Sequence, residues 1–351
     1  MDSLYALYIL LVSLAFISDV LIALQILSER RLSVHYSGDN PKASVIIPIR
    51  GSDECLASNV KSLLEQDYPD YEVIYVVDTD QKALAERLSG MGVKVVFSDF
   101  QCEMCSGKIR AQLSGLKSSD GDVIVFGDSD TRYDRGWLKE MVGGLKEFDA
   151  TTTYPWPSPT KLTLKNLVRS GFWTLGFESQ FSEKNRFLWG GSMAFRKEFV
   201  SRPDVIKELS EEWCDDCTLT RIIKRNKGKI GFLMSAMPLN VFNENDLIRW
   251  SSRQLITIRK YSPKGAKAYL FAGTLFLIFL VSSPLIPFNF TPYIMWVIKN
   301  LIRGKRYGRL AIVPSIMTIL AIPYALFLLV YNWNRSEVTW RGKKYVVSNR
   351  S

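Results

Sequence analysis

The stretch Asp122–Tyr133, DVIVFGDSDTRY, decides the fold. It opens on a short β-branched run, Val123 to Phe126, which reads as a strand buried on both faces. Gly127 ends the run, and two carboxylates follow at alternate positions, Asp128 and Asp130. In extended or turning backbone, residues i and i+2 point to one side. Two carboxylates so placed repel each other unless a cation lies between them. A hard divalent ion such as Mg²⁺ or Mn²⁺ takes one or two carboxylates together with the phosphate oxygens of a substrate. The carboxyl end of a buried strand is also where open α/β sheets bind ligands. A metal–diphosphate site is one reading. Plain turn chemistry for Asp-Ser-Asp is the other. An EF-hand is disfavoured, because Arg132 and Tyr133 stand where that loop needs an acid and a glycine.

Working outward, strand and helix patterns alternate. Ala43–Pro48, Tyr71–Asp78 and Val93–Phe97 read as strands, and 53–66, 80–89 and Gly107–Leu116 read as helices. The expected fold is α/β, with a mostly parallel, doubly wound sheet. Asp78 closes its strand on the ligand side, or caps the helix that comes next.

The ends of the chain are apolar. Leu4–Leu27 carries one charge, Asp19, and is long enough to cross a bilayer at roughly 1.5 Å per residue. Asp2 before the run, the length of the run and the lack of a small-residue cleavage site disfavour a cleaved signal peptide. Asp19 implies a partner in a helix bundle, or snorkelling near one end. Glu29-Arg30-Arg31 favours a cytoplasmic location for the middle of the chain. Ala268–Ile298 is uncharged but broken by Pro284, Pro287 and Pro292, so it reads as two short segments or a hairpin. Leu310–Tyr331 reads as a further span. The basic loop Lys299–Arg309 and the basic tail cannot both be cytoplasmic if that span crosses fully, and the side of the tail stays open.

The expected organisation is an anchor over 1–31, a cytoplasmic catalytic domain over 40–246 and an interfacial amphipathic helix over 247–267. A membrane region over 268–334 and a basic tail over 335–351 complete it. The net charge of +10 fits anionic lipid and the positive-inside bias. No basic tract with interleaved aromatics marks the middle of the chain, so nucleic acid is not an expected partner. The single histidine, His35, excludes a Ser/His relay. Cys102-Glu-Met-Cys105 and Cys214-Asp-Asp-Cys217 are two C-x-x-C pairs, open to zinc, free thiols or disulfides. Leu167–Phe181, with Phe172, Trp173, Phe177 and Phe181 at helical spacing, reads as core or as a membrane-facing acceptor surface.

These residues resemble the family 2 glycosyltransferases of GT-A fold, in particular the ceramide glucosyltransferase-like members, over nearly the whole chain. Val45–Gly51 is similar to the family's opening strand and turn, which implies Pro48, Arg50 and Gly51 near the donor. Asp78 matches the acidic position beside the nucleotide base, and Lys108 in Ser106-Gly-Lys108 the lysine that faces the nucleotide. Asp128 and Asp130 match the DxD element that holds the diphosphate's metal, Mg²⁺ or Mn²⁺. Gly190 and Gly191 resemble the glycine-rich turn lining the donor sugar. Asp215-Asp216 falls at the family's acidic pair, whose second member is the catalytic base. Val338–Tyr345 is similar to the Trp-Arg-x-x-Arg-Tyr tail. Trp250, Arg253 and Gln254 stand where the (Gln/Arg)-x-x-Arg-Trp element belongs, at the acceptor and diphosphate. The arginine aligns and its flanks do not, which argues against processive polymer synthesis.

The resemblance implies a membrane-bound inverting transferase moving a hexose from a nucleotide sugar, UDP-linked, to a lipid acceptor. A polyprenyl-phosphate sugar synthase, a polysaccharide synthase and an inactive sugar-nucleotide-binding scaffold are the alternatives.

Overall fold

A computed structural model describes residues 2–29, 40–51, 55–340 and 343–346. Arg30, Arg31, His35, Asp53 and the Arg341-Gly342 pair of the tail lie outside the described residues. The chain divides into two compact units. One comprises Leu32–Trp156 and Glu178–Val241, the other Met1–Arg31, Pro157–Phe177 and Phe242–Ser351.

The first unit is built on a seven-stranded sheet. Its strands are β1 (Ala43–Ile49), β2 (Tyr71–Val77), β3 (Lys94–Phe97), β4 (Val123–Gly127), β5 (Ala150–Thr152), β6 (Ser192–Arg196) and β7 (Ile230–Phe232). Their spatial order is β3-β2-β1-β4-β6-β5-β7. The first four run parallel, as the alternating pattern predicts. β6 is antiparallel to both β4 and β5, which the pattern did not reveal.

Period-two alternation splits the apolar residues between the two faces. Val45, Ile47, Tyr75, Val77 and Val125 pack on one side. Ile46, Ile74, Val76, Ile124 and Phe126 pack on the other. Each such side chain contributes about 1.5–3 kcal/mol of transfer free energy. Two-sided burial is what makes β1 and β4 near-continuous apolar runs.

The second unit holds the apolar helices. Asp2–Glu29, Pro263–Ser282, Thr291–Arg303 and Ile312–Tyr331 are separate helices, so Ala268–Ile298 does break into two segments around the prolines. Among the described residues three helical stretches, Ser3–Glu29, Pro263–Ser282 and Lys305–Tyr331, are long and apolar enough to cross a membrane. Asp19 meets Thr291 across this unit at hydrogen-bond distance. Glu29 pairs with Arg303, whose side chain is fully buried.

The helix Leu164–Thr174 also belongs here, so the expected 40–246 domain contributes residues to both units. Thr163 caps it by accepting the Asn166 N–H at 3.3 Å. A Cβ on Gly171 would lie 2.8 Å from the Thr318 nitrogen, so glycine is what lets this helix approach the backbone of Ile312–Tyr331. Thr174 and Thr318 share a hydrogen bond at 3.0 Å, and the Asn300 amide donates to both. In the tail Glu337–Trp340 pairs antiparallel with Lys343–Val346.

Candidate active site

Strand register assembles the site. β1 and β2 pair through Ile49 and Val77, so the next residues, Arg50 and Asp78, emerge together. They form an ion pair at 3.3 Å. Gly51, at φ +82°, turns the chain there, and its N–H donates to Gln81 at 3.0 Å. Gln81, not Asp78, occupies the N-cap of the next helix. Pro48 stays within β1.

β4 and β6 pair through Gly127 and Ser192. That antiparallel register sets Gly190-Gly191 beside Asp128. A Cβ on Gly191 would come within 2.5 Å of Asp128 Oδ2. A Cβ on Gly190 would meet Lys108 Nζ at 2.8 Å, Asp215 Oδ2 at 2.9 Å and Asp216 Oδ2 at 3.2 Å. Only a residue with no side chain allows this approach.

Two helix N-termini supply the remaining groups. Ser106 caps Gly107–Lys117 by accepting the Ile109 N–H, which fixes Lys108 in the first turn. Asp215 and Asp216 begin the helix Asp215–Arg225, where partial positive charge favours acids.

Lys108 Nζ lies 2.8 Å from Asp128 Oδ1, 3.3 Å from Asp215 Oδ2 and 3.1 Å from the Gly190 carbonyl. Asp216 Oδ2 accepts the Gly190 N–H at 2.9 Å, and Oδ1 accepts the Cys217 N–H at 2.8 Å. The site thus gathers Lys108, Asp215 and Asp216 around Gly190, with Asp128 against Gly191. Asp130 lies on the same turn, its carboxylate 3.4 Å from the Thr131 hydroxyl and its carbonyl accepting the Val241 N–H.

One ammonium faces three carboxylates. Burial pushes the Asp216 carboxyl up to about 7, with the Asp215 charge adding to it. Burial alone would lower the Lys108 ammonium, but Asp128, Asp215 and Asp216 outweigh it and hold Lys108 well above the usual lysine range. The surplus of negative charge has two remedies, a proton on Asp216 or a bound cation. The donors are hard carboxylate oxygens, which fit Mg²⁺ or Mn²⁺.

Several supporting residues escaped the sequence reading. The Gln112 amide, buried, donates to Asp215 Oδ2 at 2.7 Å. Its signal was its place four residues after Lys108, on the same helix face. The Tyr133 hydroxyl donates to the Gly191 carbonyl at 2.8 Å and accepts the Asp128 N–H at 2.9 Å. Burial, then the Asp128 charge, pushes the Tyr133 phenol upward, so it stays a donor. Asn59 donates to the Ser129 carbonyl at 2.9 Å, holding the turn from beneath.

Trp250, Arg253 and Gln254 lie on the helix Leu247–Tyr261 of the other unit. The Trp250 ring stacks on Trp173 at 5.2 Å and carries the Arg169 guanidinium at 4.4 Å. Both C-x-x-C pairs are disulfides, with Cα separations of 5.8 Å for Cys102–Cys105 and 5.5 Å for Cys214–Cys217.

The family profile and the fold place this chain among the glycosyltransferases. The chain belongs to glycosyl transferase family 21, whose profile matches residues 10–351. The family number is therefore 21, where motif resemblance suggested 2. Among curated proteins the chain is similar to a probable N-acetylgalactosaminyltransferase 9 of Caenorhabditis elegans, 32% identical over 161 residues. That match covers 43% of this chain and 27% of the relative. It is also similar to the amylovoran biosynthesis glycosyltransferase AmsB of Erwinia amylovora, 26% identical over 30% of this chain and 36% of that protein. The chain thus spans about a third or less of the length of these relatives. The solved mannosyltransferase PcManGT of Pyrobaculum calidifontis, in complex with GDP-Man and Mn²⁺, aligns with a TM-score of 0.54 at 15% identity. It covers 93% of this chain and 97% of its own, a likeness of fold.

Proposed function

We propose that this glycosyltransferase is held in a membrane and transfers a hexose from a nucleotide sugar, UDP-linked, to a lipid acceptor, with inversion at the anomeric carbon. The observation that carries the reading is the convergence of Lys108, Asp215 and Asp216 on Gly190, with Asp128 paired to Lys108 beside Gly191. Sugar transfer needs a base for the acceptor hydroxyl and positive charge for the leaving diphosphate. Asp216, raised toward neutrality, supplies the first. Lys108 supplies part of the second. Asp128 and Asp130 would hold Mg²⁺ or Mn²⁺, which when bound neutralises diphosphate charge. A nucleotide-sugar donor is supported by the N-acetylgalactosaminyltransferase relatives and by the GDP-Man and Mn²⁺ in PcManGT.

Pro48, Arg50, Gly51 and Asp78 border the donor at the ends of β1 and β2, with Gly190 and Gly191 at the sugar. Asp215 fixes Lys108 beside Asp216. Trp250, Arg253 and Gln254 serve the acceptor and diphosphate. Membrane attachment is supported by large apolar side chains exposed on the long helices, among them Leu4, Phe16, Phe271 and Phe327. The catalytic unit faces the cytoplasm in this reading.

The test is incubation of the purified full chain with a panel of nucleotide sugars, Mn²⁺ and membrane lipids that include ceramide and polyprenyl phosphate. A single-hexose glycolipid by mass supports the proposal. Polymer, or nucleotide release with no lipid product, would overturn the acceptor assignment.

A further inference from the structure

Cys214 and Cys217 bracket the acidic pair in the first turn of Asp215–Arg225. The Cys214 sulfur lies 3.1 Å from Asp216 Oδ1. The same oxygen accepts the Cys217 N–H, so both contacts to Oδ1 come from the C-x-x-C turn. Cys214 is 7% exposed, and Cys217 is only partly buried. The turn is tied to the lysine-bearing loop as well, because the Ser106 N–H donates to the Glu212 carbonyl at 3.2 Å.

We propose that Cys214–Cys217 is a reversible thiol–disulfide site that tunes Asp216. This rests on the reading of Asp216 as the base. Glutathione is a suitable reductant. Its thiolate attacks Cys217 Sγ, the S–S bond breaks, and Cys214 leaves as a thiolate that takes a proton from water. A second glutathione thiolate attacks the mixed disulfide, and Cys217 leaves and is protonated in turn. Two glutathiones are oxidised to one glutathione disulfide while the protein gains two thiols. The reverse exchange restores the bond.

In the disulfide, the Cys214 sulfur carries no proton, so Oδ1 keeps a lone pair for the acceptor hydroxyl. In the dithiol, the Cys214 S–H faces Oδ1 and donates to it. A donor to the ionised form weakens a carboxylate as a base. At a pH well above 7, where Asp216 is a carboxylate in both states, reduction therefore slows transfer, and opening the bond loosens the Cys217 N–H held against Asp216.

The full chain in detergent micelles is equilibrated with reduced or oxidised glutathione. Alkylation and peptide mass assign the state of Cys214 and Cys217. Turnover, at a pH well above 7, and amide exchange at Cys217 and Gly190 are then read in both states. Reduction is expected to lower turnover about threefold, the effect of one weak hydrogen bond, and to speed exchange at Cys217. Cys214→Ala loses the response, whereas Cys102→Ala with Cys105→Ala keeps it. Identical turnover and exchange in the two states would overturn the proposal, as would a response that vanishes with Cys102 and Cys105. If Cys214→Ala does not fold, the wild-type comparison alone decides. If no transfer occurs in either state, the base reading fails, and exchange at Cys217 still decides the redox coupling.

Discussion

Asp216 accepts the backbone N–H of Gly190 at 2.9 Å, while the carbonyl of the same glycine receives Lys108 at 3.1 Å. One residue thus holds the candidate base and the candidate diphosphate cation a peptide's width apart. Its two backbone groups do what no side chain could do in that space.

Gly190→Ala is expected to fold and to fail in turnover. The new Cβ would sit 2.8 Å from Lys108 Nζ and 2.9 Å from Asp215 Oδ2, so one of them must move. The stability cost is about 1–3 kcal/mol, the range for overpacking. Donor binding by calorimetry and thermal unfolding separate the two effects. Wild-type turnover would contradict the geometry.

Asp216→Asn removes the proposed base and keeps the shape. Turnover should fall by about 10²–10⁴, with donor affinity nearly unchanged. A variant retaining most of its rate would move the base elsewhere.

The pH response comes from the direction of the Asp216 shift. Its folded pKa of about 7 lies above the ordinary aspartate value of 3.8. The stability this group contributes is full below the unfolded value and is lost as pH rises through about 7. Activity runs the other way, since only the carboxylate accepts a proton, so the rate climbs through the same region. Adding Mn²⁺ should lower the midpoint of that climb. Removing the ion with chelator should abolish transfer while leaving the fold intact by circular dichroism.

Lys108→Met leaves Asp128 and Asp215 facing each other without their shared cation. Breaking such a pair costs about 3 kcal/mol. Denaturant unfolding without metal measures the loss, and Mn²⁺ should recover part of it. Equal stability to wild type would mean the ammonium is not what holds these carboxylates.

The strands of the sheet were legible because two-sided burial leaves an unmistakable apolar run, as in Val123–Phe126. The DxD turn was legible because i, i+2 spacing survives any context. The helix Asp215–Arg225 announced itself through acids at its start. What escaped depends on pairings far apart in sequence. Gln112 meets Asp215 across 103 residues, and Tyr133 meets Gly191 across 58. The antiparallel β6 was invisible, because direction is set by the partner and not by the run itself. The grouping of Leu164–Thr174 with the apolar helices turned on Gly171, a residue whose role appears only when its neighbour is known.

The seat of Gly171 against the backbone at Thr318 bears on how this protein can be handled. A recombinant fragment trimmed to residues 40–246 would keep the helix that carries Gly171 and discard the surface it docks on. The stripped face would present Phe172 to water, with the Thr174 hydroxyl parted from Thr318. Such a truncate should clump unless the detergent-solubilised whole chain is used instead.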